Sequence, residues 1–356
     1  MNNFELMTDK NIKAIYRELW NSNLPGKITK SWWKHGKKSQ DAKNSYQFII
    51  DGVDYKNIKK TDEENIYKSL INIFQPRTKD FKNKLHDSCF GDGNEYEKIM
   101  RLHSSSLCAL LIFCEISEDN KLSLTLNNQK YSFFNVLFEY KNMVISNPSN
   151  VDVVLIGRNE STNKDTILFL ESKFSEYLKI NNSFKSLGQY YLKKNPEIYN
   201  DSFLNEIGIE IIKYNGEPMT FKCKKNGKIT NYYGLQTKDN SATYIDGLKQ
   251  MISHYIGIRN FITQPLYDER KDVFKNINIK ESEIILGEIL FDFNFDNAKN
   301  CFKAYSDYYR KLANQLNTLS NDIFVLKDLI KYSDILKDKN YCISEKVKTY
   351  YFNQRE

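Results

Sequence analysis

The succession of apolar segments predicts an α/β fold in which a helix, three strands, a second helix and a fourth strand build a mixed central sheet flanked by helices. Three observations carry that prediction. Val-Val-Leu-Ile-Gly at 153–157 and Thr-Ile-Leu-Phe-Leu at 166–170 are β-branched or aromatic runs too short for good helices. The polar stretch 158–165 joins them as a hairpin loop, and their near-continuous apolar character implies burial on both sides. Residues 95–115 and 244–262 show helical periodicity, and 131–145 and 283–293 supply the remaining strands.

Taken in order, residues 1–85 form an N-terminal, mostly helical region. A helix is expected over 8–20, and another after the capping box Thr61-Asp62-Glu63-Glu64. Between them, residues 27–43 carry six lysines, Trp32, Trp33 and His35. Lys34, Lys37 and Lys38 are candidates for gripping a nucleic-acid backbone. The plainer reading is a surface loop anchored by two core tryptophans. A central region follows. Its first helix, 95–115, takes Asn94 as N-cap and Glu97 at N3. Glu97 and Arg101 form an exposed i,i+4 pair. Glu95 instead heads the stripe Ile99, Leu102, Ser106, Ala109 and Phe113, so it points into the interior or a cleft.

A helix beginning at Ser175 and Glu176 is expected to reach Lys194. Residues 195–243 are an insertion. Within it, Asn226-Gly227 between alternating segments signals a tight hairpin. Lys222, Lys224, Lys225 and Lys228 make that ribbon basic, suited to a major groove or to a merely solvated role. On the helix 244–262, Gln250 and His254 share a face with Gly247 and Gly257, which permit close approach. His254 reads either as a hydrogen-bonded core histidine or as a substrate contact. Residues 296–356 hold C-terminal helices, over 297–319 and 323–338, that offer a packing or homodimer layer.

The chemistry concentrates at the open end of the hairpin. Its loop is centred between Ser161 and Thr162, so the residue opposite Asp152 is Glu171. In a regular ladder their Cβ atoms lie about 5 Å apart. Strand alternation adds Lys173 to the face of Glu171. Two facing carboxylates do not both stay ionised cheaply without a cation. Mg²⁺ or Mn²⁺ answers this, since Mg²⁺ accepts one or two carboxylates while keeping several waters and a substrate phosphate. Lys173 supplies a point charge beside the water or phosphate. The plainer alternative is an edge hairpin whose charges face solvent.

Asp152 followed by Glu171-Ser172-Lys173 resembles the signature of the PD-(D/E)xK nuclease superfamily. The longer string Pro148-Ser-Asn-Val-Asp152…Glu171-Ser-Lys-Phe-Ser-Glu-Tyr-Leu178 is similar to a group of bacterial restriction-endonuclease-like proteins. The resemblance covers 86–295. It implies a restriction-endonuclease-like core, a metal-dependent endonuclease acting on DNA, and a role in restriction or defence. By the same resemblance, Glu95 matches a further metal-binding acid on the first helix. Gln250 matches a glutamine turned toward the active site from the helix before the fourth strand.

Composition narrows the alternatives. The 356 residues carry a formal charge of +7, which favours polyanions weakly. The Lys, Asn, Ile, Tyr and Phe bias lowers the meaning of any single lysine. Six cysteines without a CxxC pair indicate neither zinc nor disulfides and fit a reducing cytoplasm. No apolar run approaches a membrane span, and the N-terminus lacks the pattern of a signal peptide. No phosphate-binding GxxxxGK[ST] motif is present, so no ATP-driven motor is expected. Asn147-Pro-Ser-Asn150 is a poor methyltransferase motif, lacking its aromatic. Glycosidase or aspartic-protease chemistry does not require Lys173. The rival reading is a nucleic-acid-binding or assembly protein on a degenerate nuclease fold; repair or RNA cleavage stays open within the enzyme class.

Overall fold

The computed structural model describes residues 28–33, 43–48, 59–90, 95–101, 104–145, 147–178, 185–188, 194–225, 228–237, 245–264 and 266–352. In the N-terminal region, β1 (Ile28–Trp33) and β2 (Lys43–Phe48) form an antiparallel pair, with Trp32 opposite Asn44 and Trp33 opposite Lys43. The tryptophans thus stand on a strand. The expected helix over 8–20 and Lys34, Lys37 and Lys38 lie outside the described residues. Next, α1 (Glu63–Phe74) follows a 3-10 turn in which the Asp62 carboxylate accepts from the Lys59 N–H at 2.7 Å. It buries Ile66, Leu70, Ile73 and Phe74, the spacing of one helical face. The short α2 (Phe81–Leu85) comes after it.

The segment 95–115 departs from the expected single helix. A 3-10 turn covers Glu95–Glu97, and α3 (Ser105–Phe113) begins afresh. Ser104 is its N-cap and accepts from the Leu107 N–H at 3.1 Å. Three consecutive serines explain the break, because their hydroxyls compete for backbone groups and favour caps over helix interiors. Arg101, expected on an exposed face, is buried.

A meander follows: β3 (Leu122–Leu126), β4 (Gln129–Met143), β5 (Pro148–Asn159) and β6 (Asp165–Lys173), each antiparallel to the next. The β3–β4 turn uses Asn127 and Asn128 at φ 48° and 64°, the left-handed pair that a two-residue hairpin requires. A second sheet is built from β7 (Lys185–Gly188), β8 (Ile209–Ile211), β11 (Thr220–Lys225) and β12 (Lys228–Thr237), with β12 pairing all the others. Beside it lie α4 (Asp201–Glu206) and the small ribbon β9 (Lys213–Tyr214) with β10 (Glu217–Pro218). The helix expected over 175–194 is therefore interrupted. Only a 3-10 turn covers Glu176–Leu178, and β7 pairs with Tyr232–Leu235, a tertiary contact that overrides a helix pattern ending in Gly188.

The chain then returns to the central sheet through α5 (Ile245–Thr263) and β13 (Glu283–Leu290). After α6 (Asp296–Leu316), residues 323–338 do not form the expected helix. They give β14 (Phe324–Val325), β15 (Ile330–Lys331) and the single turn α7 (Tyr332–Ile335), before α8 (Glu345–Phe352). Both short strands pair with the free edge of β13, whose unpaired backbone groups would otherwise be left open. The central sheet runs β14-β13-β6-β5-β4-β3, parallel from β14 to β6 and antiparallel beyond.

The fold is thus α/β with a mixed sheet. Alternation along β6 sends Phe169 and Glu171 to one face and Ser172 to the other. On the first face, Phe261 of α5 packs edge-on against Phe169 at 5.3 Å and Tyr140 at 6.1 Å. On the second, the Ser172 hydroxyl meets the Ser105 carbonyl at the start of α3. Among the described residues no helix is long and apolar enough to cross a membrane.

Candidate functional site

The hairpin register is the one the loop symmetry predicts. Val153 pairs with Leu170 and Arg158 with Asp165, so the next level outward holds Asp152 and Glu171. The ladder stops there. β5 stays with β4 down to Pro148 and β6 stays with β13 to Lys173, so the sheet splits between β5 and β6 at this level. The Asp152 carboxylate enters the split and accepts from the Ser172 N–H at 2.7 Å.

Two further acids stand at the same level on the neighbouring strands. Glu288 of β13 is the Cα partner of Glu171. On β4, Phe138 pairs with Val153 and Tyr140 with Val151, which leaves Glu139 level with Asp152. Glu139, Asp152, Glu171 and Glu288 therefore form a row across four adjacent strands. Sequence reasoning passed over Glu139 and Glu288 as site residues. The signal was present: each is a lone acid inside an apolar strand, Val-Leu-Phe-Glu-Tyr and Leu-Gly-Glu-Ile-Leu.

Glu139 is also a backbone exception, with φ 49° in the middle of a strand. A non-glycine residue held there costs on the order of 1–3 kcal/mol and persists only where its surroundings impose it. Asp268 and Arg270 lie against it. The Arg270 guanidinium donates to the carbonyls of Phe138 (2.7 Å) and Glu139 (3.0 Å). The Asp268 carboxylate accepts from the Lys141 N–H at 2.9 Å and from the Arg270 Nε and Nη2 at 2.9 and 2.8 Å.

The buried floor of the site is a charged network. Lys173 Nζ donates to Glu171 Oε1 and, at 2.7 Å, to Gln250 Oε1. His254 Nε2 lies 2.7 Å from Glu171 Oε2, and its Nδ1 lies 2.6 Å from the Ser149 hydroxyl. Glu288 accepts from the Tyr305 hydroxyl of α6 at 2.6 Å. Gly247 makes room for that phenol, since a Cβ there would stand 2.5 Å from the Tyr305 oxygen. Gly257 similarly lets α5 close on Asn142 of β4. Glu171, His254 and Glu288 are at most 1 % exposed, whereas Glu95, Glu139, Asp152 and Gln250 are partly open and form the rim.

The electrostatics divide the acids. Burial would raise Glu171, but Lys173 and His254 outweigh it and hold the carboxyl at about 2. Burial, then the charges of Glu171 and Glu139, push Asp152 well above the usual carboxylate range. Glu139 is pushed up to about 8 by burial, with Glu95 and Glu171 adding to it. Burial raises Glu288 to about 8 against the pull of Lys173. Lys173 itself is raised, because its surrounding acids outweigh burial. Near neutrality Glu139 and Glu288 therefore favour the protonated form, while Glu171 stays ionised.

The sequence-derived candidates are placed as follows. Asp152, Glu171, Lys173 and Gln250 converge. Gln250 does so by fixing Lys173. Glu95 joins them from its 3-10 turn, accepting from Lys98 at 2.9 Å and Ser106 at 3.2 Å, close enough for its charge to raise Glu139. His254 reaches the site through Glu171, with both ring nitrogens engaged inside the protein. The basic hairpin exists, with Lys222 opposite Asn231, Lys224 opposite Ile229 and Lys225 opposite Lys228. Lys222 is exposed.

The donors suit a hard divalent cation, which binds carboxylate oxygens and keeps much of its water. Asp152, Glu139 and Glu95 are the rim acids that could hold one. Glu171 is the fourth, although both its oxygens are engaged by Lys173 and His254. Among the described residues, no three His, Cys, Asp or Glu side chains form a ready-made coordination set. Comparison with protein-family models, curated proteins and solved structures finds no match for this chain.

Proposed function

We propose that this protein is a metal-dependent phosphodiesterase that hydrolyses DNA on a restriction-endonuclease-like core, in restriction or defence against foreign DNA. The observation that carries the reading is the split hairpin end. There Asp152 and Glu171 stand level on adjacent strands, with Lys173 locked beside them and further acids on either side. Asp152 and Glu171, with Glu139 and Glu95 at the rim, would hold Mg²⁺ or Mn²⁺. Such an ion supplies an activated water and screens charge on phosphorus.

The chain's own residues do the rest. Glu171 holds the Lys173 ammonium in place, and Gln250 fixes it from a second direction. Lys173 presents a preorganised positive charge where a phosphate oxygen gains negative charge. His254, anchored on Ser149, fixes the other oxygen of Glu171. Asp152, which burial and the neighbouring acids hold above the ordinary carboxylate range, would serve the cation as a carboxylate ligand. The lysines of the β11–β12 ribbon contact phosphates without reading bases.

The test is incubation of modified and unmodified plasmid and phage DNA with Mg²⁺ or Mn²⁺, followed by end sequencing. Cleavage abolished in Asp152→Asn supports the reading; cleavage at the wild-type rate in that variant sinks it. A second reading, nucleic-acid binding without catalysis, draws on the engagement of both Glu171 oxygens. It predicts a mobility shift of DNA with no cleavage under any metal.

A further inference from the structure

The kink at Glu139 has its own support, outside the motif that suggested the site. In an unbroken ladder, Ser149 and Glu171 would stand on opposite faces of the sheet. Both nonetheless bond to the single ring of His254. The interruption at Glu139 and Asp152 lies between them and reconciles the two contacts. Whatever holds that kink sets the geometry of the site.

The holder is the loop after α5. Arg270 spends its two terminal nitrogens on the consecutive carbonyls of Phe138 and Glu139, which a regular ladder would point in opposite directions. Asp268 is 2 % exposed and pins the guanidinium along its edge while taking the Lys141 N–H. The guanidinium also stacks over Tyr140 at 5.8 Å. It also pairs with Asp87, 3.4 Å away, on the π-helical turn His86–Phe90. One side chain thus joins β4 at Glu139 to the π-helical turn at Asp87.

We propose that Arg270, fixed by Asp268, is a positioning residue that holds Glu139 in its left-handed conformation, level with Asp152 on the neighbouring strand. Arg270 does not touch substrate. Its planar fork is needed because a lysine offers one point charge and cannot take two carbonyls in fixed geometry. The inference concerns the shape of the site; its relevance to cleavage rests on the proposed nuclease function.

The experiment compares wild type, Arg270→Lys, Asp268→Asn and Glu139→Gln. Hydrogen exchange of the peptide spanning 136–143 reads the clamp directly. Arg270→Lys should exchange there about tenfold faster or more, with β6 protected as in wild type. Mn²⁺ affinity, by calorimetry, should fall about tenfold in Arg270→Lys, the usual loss when an outer partner is removed. The same loss should be absent when Arg270→Lys is added to Glu139→Gln. Unchanged exchange over 136–143 in Arg270→Lys overturns the proposal, as does an Mn²⁺ loss that persists undiminished in the Glu139→Gln background. If wild type binds Mn²⁺ but cleaves no DNA, the nuclease reading fails while the clamp is judged by the exchange and affinity data. If wild type binds no Mn²⁺, exchange alone decides the clamp, and Arg270→Lys exchanging like Asp268→Asn supports it.

Discussion

Two hairpins of this chain, β5–β6 and β11–β12, share an architecture and differ in what covers them. The β5–β6 hairpin lies inside the central sheet, and every residue of β6 after Asp165 is buried. The β11–β12 hairpin belongs to a second sheet and exposes Lys222. Charges on the first are therefore forced into a network, where each removal leaves a partner buried and unpaired. Lys222 on the second stays in water, where a single charge is worth little. The same residue type is thus held in fixed geometry at Lys173 and left solvated at Lys222.

The comparison breaks first at Glu171. Glu171→Ala removes the partner of Lys173 and of His254 at once, and breaking a buried pair typically costs about 3–5 kcal/mol. Its melting temperature should fall by many degrees, and any cleavage should be lost. Glu171→Gln, which keeps the shape, should lose cleavage with a smaller drop in stability. A melting temperature within about two degrees of wild type for Glu171→Ala, under about 1 kcal/mol by the usual conversion, would mean that the network is not a stability element.

Lys173→Ala comes next. Removing one preorganised electrostatic group costs about 10²–10³ in rate. Single-turnover cleavage should show it, with a smaller effect on metal affinity. A loss below about fivefold, well short of that range, argues against a catalytic role.

Glu288 sharpens the contrast through pH. Its carboxyl sits at about 8 in the folded chain against an ordinary 4.5, so the folded state keeps a proton that the unfolded state has lost between those values. That contribution is fully present below pH 4.5 and is lost as pH rises through 8. Glu288→Gln stays neutral and avoids the loss. Its stability relative to wild type, measured by urea unfolding, should improve steadily from pH 5 to about pH 9, by on the order of a few kcal/mol. A constant difference across that range would show that Glu288 does not titrate there.

The surface hairpin should give the smallest effect. Replacing Lys222, Lys224, Lys225 and Lys228 with glutamine should leave the melting temperature nearly unchanged. The log–log salt slope of DNA binding should flatten by about 2–4 units if the ribbon lies on the duplex. An unchanged slope moves the binding surface elsewhere.

The local signals in the sequence were strong where period and turn chemistry agreed. Alternating β-branched runs and a symmetric loop were enough to pair Val153 with Leu170 and to bring Asp152 level with Glu171. Asn226-Gly227 was enough to pair Lys225 with Lys228. The α5 stripe placed Gln250 and His254 together on one face. Local pattern misled where a competing interaction was nonlocal or where polar side chains broke a run. Ser104 restarted the first helix, β7 was captured by β12, and residues 323–338 were drawn onto the edge of β13.

The sequence by itself determined the α/β class, the hairpin that carries the motif and the identity of the residues able to do charge chemistry, because these follow from periodicity and turn preference within short stretches. The tertiary structure alone decided which acids join them. Glu139 and Glu288 enter the site only because β4 and β13 flank the hairpin, and Glu139 takes its conformation from Asp268 and Arg270, more than a hundred residues away. No local pattern encodes that placement, since burial and opposing charge act through space between strands that meet only once the chain has folded.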